Sequence, residues 1–232
     1  MFYTILTQPL LNILVLIYNV FNNFGIAIIV LTLLIRFLLY PLSQAGIVSQ
    51  KKLTAIQPKI KEVQEKYKDN KEEQTKRLME LYKENKVSPF SGCLPLLIQL
   101  PILFAIYRVF WTGFSKVPVP GLYSFVHSPH SINTMFLGMN LAHASIILAV
   151  VAALAQFIQS KMMLPKTPKA IGEEPAKKKD MAQAMNQQML FMMPLFTFIF
   201  LLRLPSSLGI YWIVSTLFTI IQQWYILRFN KA

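Results

Sequence analysis

One side chain in this sequence sits where its surroundings oppose its chemistry. Arg36 lies inside the apolar stretch Gly25–Leu42, GIAIIVLTLLIRFLLYPL, which is long enough to cross a bilayer. At the centre of a membrane helix an arginine costs roughly 2.5–3.5 kcal/mol on insertion scales, so it needs a compensating environment. A buried carboxylate is the usual one. All ten Asp and Glu residues, however, fall within Glu62–Glu84 and Glu173–Asp180, outside every hydrophobic run. Arg36 therefore faces water, polar side chains, backbone carbonyls, or a group from outside the chain. Alternatively it snorkels: Leu42 is six residues away, about 9 Å along a helix, within reach of a long side chain.

Other polar residues recur in the apolar runs at helical spacing. Thr32 is one turn before Arg36 and Ser43 two turns after it. Further along, Ser145, Ala149, Ala152, Gln156 and Gln159 share a helix side, as do Tyr211, Ser215, Thr219 and Gln222 with Trp212 beside them. Gln99 stands between Pro95 and Pro101. Any one of these groups could simply join helices. Taken with Arg36, they imply a hydrated cavity, and Pro95, Pro101 and Pro194 leave backbone carbonyls that need partners there.

Catalytic constellations are missing. An intramembrane hydrolase needs a nucleophile with a base, or two carboxylates, inside the spans. Ion-coupled transporters commonly carry intramembrane acids. His127 and His130 have no third ligand to complete a metal site, and there is no HExxH pattern. No enzyme activity, cofactor or metal is expected. The single Cys93 excludes an internal disulfide.

The elements that must position these groups follow from composition. Of 232 residues 54% are hydrophobic and only 14% charged, which marks an integral membrane protein. Residues 1–23 are apolar but carry Gln8, Asn12, Asn19 and Asn22 along one side, reading as an amphipathic helix in the outer interface. Spans are expected at 24–42, 93–112, 143–161, 188–204 and 208–228. The net charge of +13 is unevenly spread: eleven basic residues lie between Lys51 and Lys86, and six between Lys161 and Lys179. This bias puts the N-terminus outside, with both basic loops and the tail 229–232 in the cytoplasm. The loops could meet anionic lipids or RNA.

Within 43–92, Leu53, Ile56, Ile60, Val63 and Tyr67 form an apolar seam, Asp69-Asn70 a turn, and Leu78, Leu81 and Tyr82 a returning face. This is a cytoplasmic helical hairpin, kinked at Pro58, whose exposed seam is suited to docking. Segment 113–142 is a nearly uncharged outer loop, and 162–187, with Lys177-Lys178-Lys179, a mobile basic one. No cleavable signal peptide or lipid-anchor cysteine is read near the start.

The segments FGIAIIVLTLLIRFLLYPLS, KLTAIQPKIKEVQEKYKDNKEEQTKRLMELYKENKVSPFSGCLPLLIQLPILFAIYRVF and LPSSLGIYWIVSTLFTIIQQWYI, in this order, resemble the YidC-type membrane protein insertases, which include the mitochondrial and chloroplast insertases. The resemblance runs from about Thr7 to Phe229. It implies an all-α integral membrane protein of the bacterial inner membrane. Five transmembrane helices would surround a hydrophilic groove open to cytoplasm and lipid, with the cytoplasmic hairpin as a mobile lid and an N-terminal interfacial helix. Arg36 would be the groove's positive residue, with Thr32, Gln156, Tyr211 and Trp212 at groove-lining or substrate-contacting positions. Nascent membrane proteins would be the substrates and the ribosome, the Sec translocon and anionic lipids the partners, without recognition of a nucleic-acid sequence. The alternative is a folding and assembly chaperone acting with the Sec translocon and translocating nothing itself. Gram-negative relatives add an N-terminal span and a large outer β-domain, and Gram-positive ones a lipoprotein signal; this chain begins at the core.

Overall fold

The computed structural model describes residues 3–88, 94–110, 117–164 and 181–229. Cys93, Lys116, Pro165, Pro168, Pro175 and Lys177–Lys179 lie outside the described residues. The described residues are overwhelmingly helical. Helix α1 (Gln8–Phe21), preceded by a π-helical turn Tyr3–Thr7, is followed by α2 (Phe24–Leu38), α3 (Tyr40–Ala55), α4 (Gln57–Lys66) and α5 (Lys71–Glu84). Then come α6 (Leu94–Arg108), a hairpin of β1 (Met135–Phe136) and β2 (Met139–Asn140), α7 (Ile146–Met163), α8 (Met181–Leu201) and α9 (Ser206–Phe229).

Local chemistry sets the boundaries. Asn22 ends α1 in the left-handed conformation (φ 50°), a role its short side chain tolerates. Asn23 opens α2 by accepting from the Ile26 N–H with its side chain at 3.1 Å. The expected span 24–42 is not one straight helix: α2 and α3 meet at a 66° bend at Leu39. Pro41, in the first turn of α3, has no N–H to continue the ladder, so the break falls just before it. Pro58 acts likewise at the start of α4, with Ile56 as the joint. Asn70, expected only to turn the chain, also caps α5 through the Glu73 N–H at 3.1 Å.

Helix α9 is the centre of the bundle, packing against α2, α3, α7 and α8. Its first residues, Ser206–Tyr211, are all buried, which would strand the unpaired N–H groups of a helix start. The chain ahead of α7 satisfies them: the Ser206 and Ser207 N–H groups donate to the His143 and Leu141 carbonyls at 2.9 and 3.1 Å. Ala149, Ala152 and Ala155 form a small-residue face on α7. On α9, Gly209 permits close approach to α7 at Leu148, whose Cβ an added Cβ would meet at 3.2 Å.

The main core joins Leu11, Leu14 and Val15 of α1, Ala27, Ile28 and Leu31 of α2, Ile106 and Val109 near the end of α6, and Leu208 and Tyr211 of α9. A second, separate core fills the hairpin, where Ile56, Ile60 and Val87 pack with Leu53, Leu78, Leu81 and Tyr82. Of the apolar seam expected to be open for docking, Leu53, Ile56 and Ile60 are thus spent on joining the hairpin's own arms. Burial there pushes the Tyr82 phenol pKa up.

The polar row on α1 also has a use beyond amphipathicity. Asn12 is 2% exposed and binds the segment after Pro120 at both ends of its amide. Its Nδ2 donates to the Gly121 carbonyl at 3.3 Å and its Oδ1 accepts from the Tyr123 N–H at 2.7 Å. Asn19 donates to the His127 carbonyl at 2.9 Å. The Tyr18 hydroxyl accepts from the Asn133 N–H at 2.7 Å and donates to the Ser131 carbonyl at 3.2 Å. Residues 121–133 are laid along α1 by its own side chains.

Candidate functional site

Helices α2, α6 and α9 each bring one polar side chain to a common point. Arg36 Nη2 donates to Gln99 Oε1 at 3.0 Å, and Gln99 Nε2 donates to the Tyr211 hydroxyl at 2.7 Å. Tyr211 is fully buried, whereas Arg36 and Gln99 are half-buried, so the chain runs from the packed bundle towards an accessible surface. Among the described residues no carboxylate pairs with Arg36. A guanidinium has five N–H donors, and Gln99 takes one. Among the described residues no other acceptor bonds to the guanidinium.

Gln156 and Trp212 form a second pair. The Trp212 indole N–H donates to Gln156 Oε1 at 3.2 Å, and its ring lies 6.3 Å from Phe200. Tyr211 and Trp212 are neighbours on α9, so this helix carries one member of each pair. Thr32 does not join either. Its hydroxyl donates back to the Ile28 carbonyl at 2.6 Å and the residue is 1% exposed.

Two residues noted in the apolar runs but not assigned to the site prove central to its geometry. Gln99 is the bridge between Arg36 and Tyr211. Gln222 holds the α2–α3 elbow: its Nε2 donates to the Tyr40 carbonyl at 3.2 Å and its Oε1 accepts from Ser43 Oγ at 3.0 Å. One turn earlier on α9, Phe218 meets Phe37 and Tyr40 edge-on at 5.2 and 6.5 Å. The only signal available in sequence was an amide inside an apolar run, which says that a partner exists and not which one.

A cation reached through two uncharged side chains, on helices with broad apolar surfaces, can attract an anion without binding it permanently. Among the described residues no group of three His, Cys, Asp or Glu gathers in metal-binding fashion. The sequence profile of the family described as "60Kd inner membrane protein" matches residues 16–232. The chain belongs to that family. "Membrane protein insertase YidC" of Geobacter metallireducens is 34% identical over 99% of this chain and 38% of its own length. The protein of the same name from Histophilus somni is 34% identical over 96% of this chain. That from Francisella tularensis subsp. novicida is 36% identical over 93% of this chain. The chain spans little more than a third of the length of these relatives. A solved structure, "Active YidC insertase crystal structure with the first transmembrane domain resolved", superposes with a TM-score of 0.58. It is 27% identical and covers 90% of this chain and 43% of that one.

Membership of this family and the apolar helices make this an all-α, multi-pass inner-membrane protein. Among the described residues, Tyr3–Phe21, Ile146–Met163 and Ser206–Phe229 are each long and apolar enough to cross a membrane, and the bent pair α2–α3 qualifies together. Leu190–Leu201 is a shorter apolar helix.

Proposed function

We propose that this chain is a membrane protein insertase, receiving nascent membrane proteins in a polar groove and releasing their hydrophobic segments into lipid. The observation that carries the reading is the half-buried Arg36, without a carboxylate partner among the described residues and linked through Gln99 to Tyr211. An acidic or polar outer segment of a substrate would pair transiently with Arg36. At an effective dielectric of 20, charges 4 Å apart attract by about 4 kcal/mol before desolvation, enough to hold without trapping. Gln156 and Trp212 would line the same groove, with Thr32 serving it only through packing. No covalent bond is made or broken, and no cofactor is needed.

Helices α2, α6, α7, α8 and α9 would be the five spans, with the N-terminus outside and the C-terminus in the cytoplasm. Helix α1 would lie in the outer interface although its composition suits a span. The irregular segment 121–133 runs along α1, and irregular backbone exposed at bilayer depth leaves peptide groups without partners. The hairpin α3–α5 would act as the cytoplasmic lid, and the basic loops would meet the ribosome, anionic lipids and the Sec translocon.

Reconstitution of the chain alone into liposomes, with a small single-span substrate bearing an acidic tail, tests the proposal. Protease protection of the substrate's tail is the expected result. Protection that requires added Sec translocon would mean that the chain acts as an assembly chaperone.

A further inference from the structure

The β-hairpin between α6 and α7 has a composition that water does not explain. Its two-residue turn is Leu137-Gly138, with φ of 49° and 76°. Tight hairpins of this kind favour Asn, Asp or Gly at both positions, because a branched L side chain is strained at positive φ. Here the first position is a leucine that is 80% exposed. Met135, ahead of the turn, is 49% exposed. From Val117 to Ser160 the sequence contains no Asp, Glu, Lys or Arg.

The hairpin's position is fixed at both strands. Phe136 of β1 lies over Gly25, where an added Cβ would collide with the Phe136 ring, so β1 is seated on the first turn of α2. Met139 of β2 contacts the residue that caps α7, with Ser145 Oγ 3.8 Å from its sulfur. Next to that contact, Ile146 and Ile147 are 68% and 67% exposed on the first turn of α7. The hairpin therefore bridges the starts of two membrane helices, and the apolar surface of α7 continues onto it.

We infer that the Leu137 turn is a lipid-seated anchor, inserted among the glycerol and upper acyl regions of the leaflet at that end of the bundle. The occupant is phospholipid: the patch is continuous with the lipid-facing surface of α7, and the segment has no charge to match a charged partner. Strain at Leu137 is tolerated because an asparagine there would have to be desolvated. This rests on the reading of α2 and α7 as spans and is independent of insertion activity, so the two can fail separately.

The test places a nitroxide spin label at position 137 (Leu137→Cys in a Cys93→Ala background) in vesicles of phosphatidylethanolamine and phosphatidylglycerol. The expected result is a several-fold excess of collisions with oxygen over a water-soluble nickel chelate, with the ratio reversed for a label at Asn70. A label at Met135 provides the same reading should the turn variant fold poorly. Preferential collision with the chelate would overturn the inference. So would protection from both agents with dipolar broadening, which would mean a second copy covers the turn. Leu137→Asn gives an independent check. Asparagine suits the backbone, so a water-facing turn gains stability and a lipid-seated one loses it in vesicles. A raised melting temperature there would count against the anchor.

Discussion

Two rows of amide and hydroxyl groups on apolar helices have opposite fates in this molecule. On α1, Asn12, Tyr18 and Asn19 all bond to the backbone of residues 121–133. Inside the bundle, Arg36, Gln99 and Tyr211 are linked through their side chains, and among the described residues none of these side chains is shown bonding to backbone. Backbone groups are obligatory partners that cannot turn away, so the α1 row is a fixed seam. Side chains can exchange partners by changing rotamer, and one of them carries a charge with donors to spare. The difference separates a structural use of polar residues in an apolar setting from a use that leaves a site open.

The strongest way to break this comparison is at Arg36. Arg36→Ala is expected to lower insertion of an acidic-tailed substrate at least ~10-fold, about 1.4 kcal/mol in the barrier, with little change in melting temperature. Arg36→Lys should keep much of the activity, since a point charge suffices for transient attraction. Equal loss of activity and stability in both variants would mean that the guanidinium fork is structural after all. Normal insertion by the alanine variant would remove Arg36 from the mechanism.

The seam should behave in the opposite manner. Asn12→Leu leaves the Tyr123 N–H without its acceptor and the Gly121 carbonyl with one donor fewer. A loss of about 2–3 kcal/mol is expected, visible as a lower melting temperature. Protein that remains folded should insert substrate at the normal rate. A selective loss of activity without destabilisation would make the α1 row part of the site.

Gln222 lies between the two cases, because it bonds one backbone carbonyl and one side chain. Gln222→Leu should cost about 1–2 kcal/mol and free the α2–α3 elbow, measurable as faster proteolysis within 50–84 at unchanged helix content. Unaltered proteolysis would show that Phe218 holds the elbow alone.

The smallest effects belong in the hairpin turn, and they sharpen the same rule. Asn70→Ala removes a side chain that binds backbone and should cost the hairpin about 1 kcal/mol. Asp69→Ala, in the exposed turn beside it, should stay within about 0.5 kcal/mol. Helix content of the two variants on warming distinguishes them.

Much of this protein is settled by chemistry that acts over a few residues. Apolar runs define the membrane helices, Pro41 and Pro58 break α2–α3 and α3–α4, and Asn23, Asn70 and Ser145 open helices. The hairpin's period gave its arms, and the absence of intramembrane acids made Arg36 conspicuous, because such patterns are local and survive in one dimension. The use of the seam was not legible, since an apolar stripe looks the same whether its cover is the adjacent arm or another molecule.

Partner choice was decided only by the tertiary structure. Arg36 meets Gln99 across 63 residues, Gln99 meets Tyr211 across 112, and Ser43 meets Gln222 across 179. Those pairings depend on how far each helix is rotated about its axis and how deeply it is set. Rotation follows from close packing, such as α7's Leu148 against α9 at Gly209. A few tens of degrees would turn Thr32 outward or part Gln99 from Arg36 with no change in the hydrophobic pattern. The sequence determined that polar groups had to be buried in a membrane and that one of them was a cation. Packing decided which of them bind the backbone and close, and which bind each other and stay open.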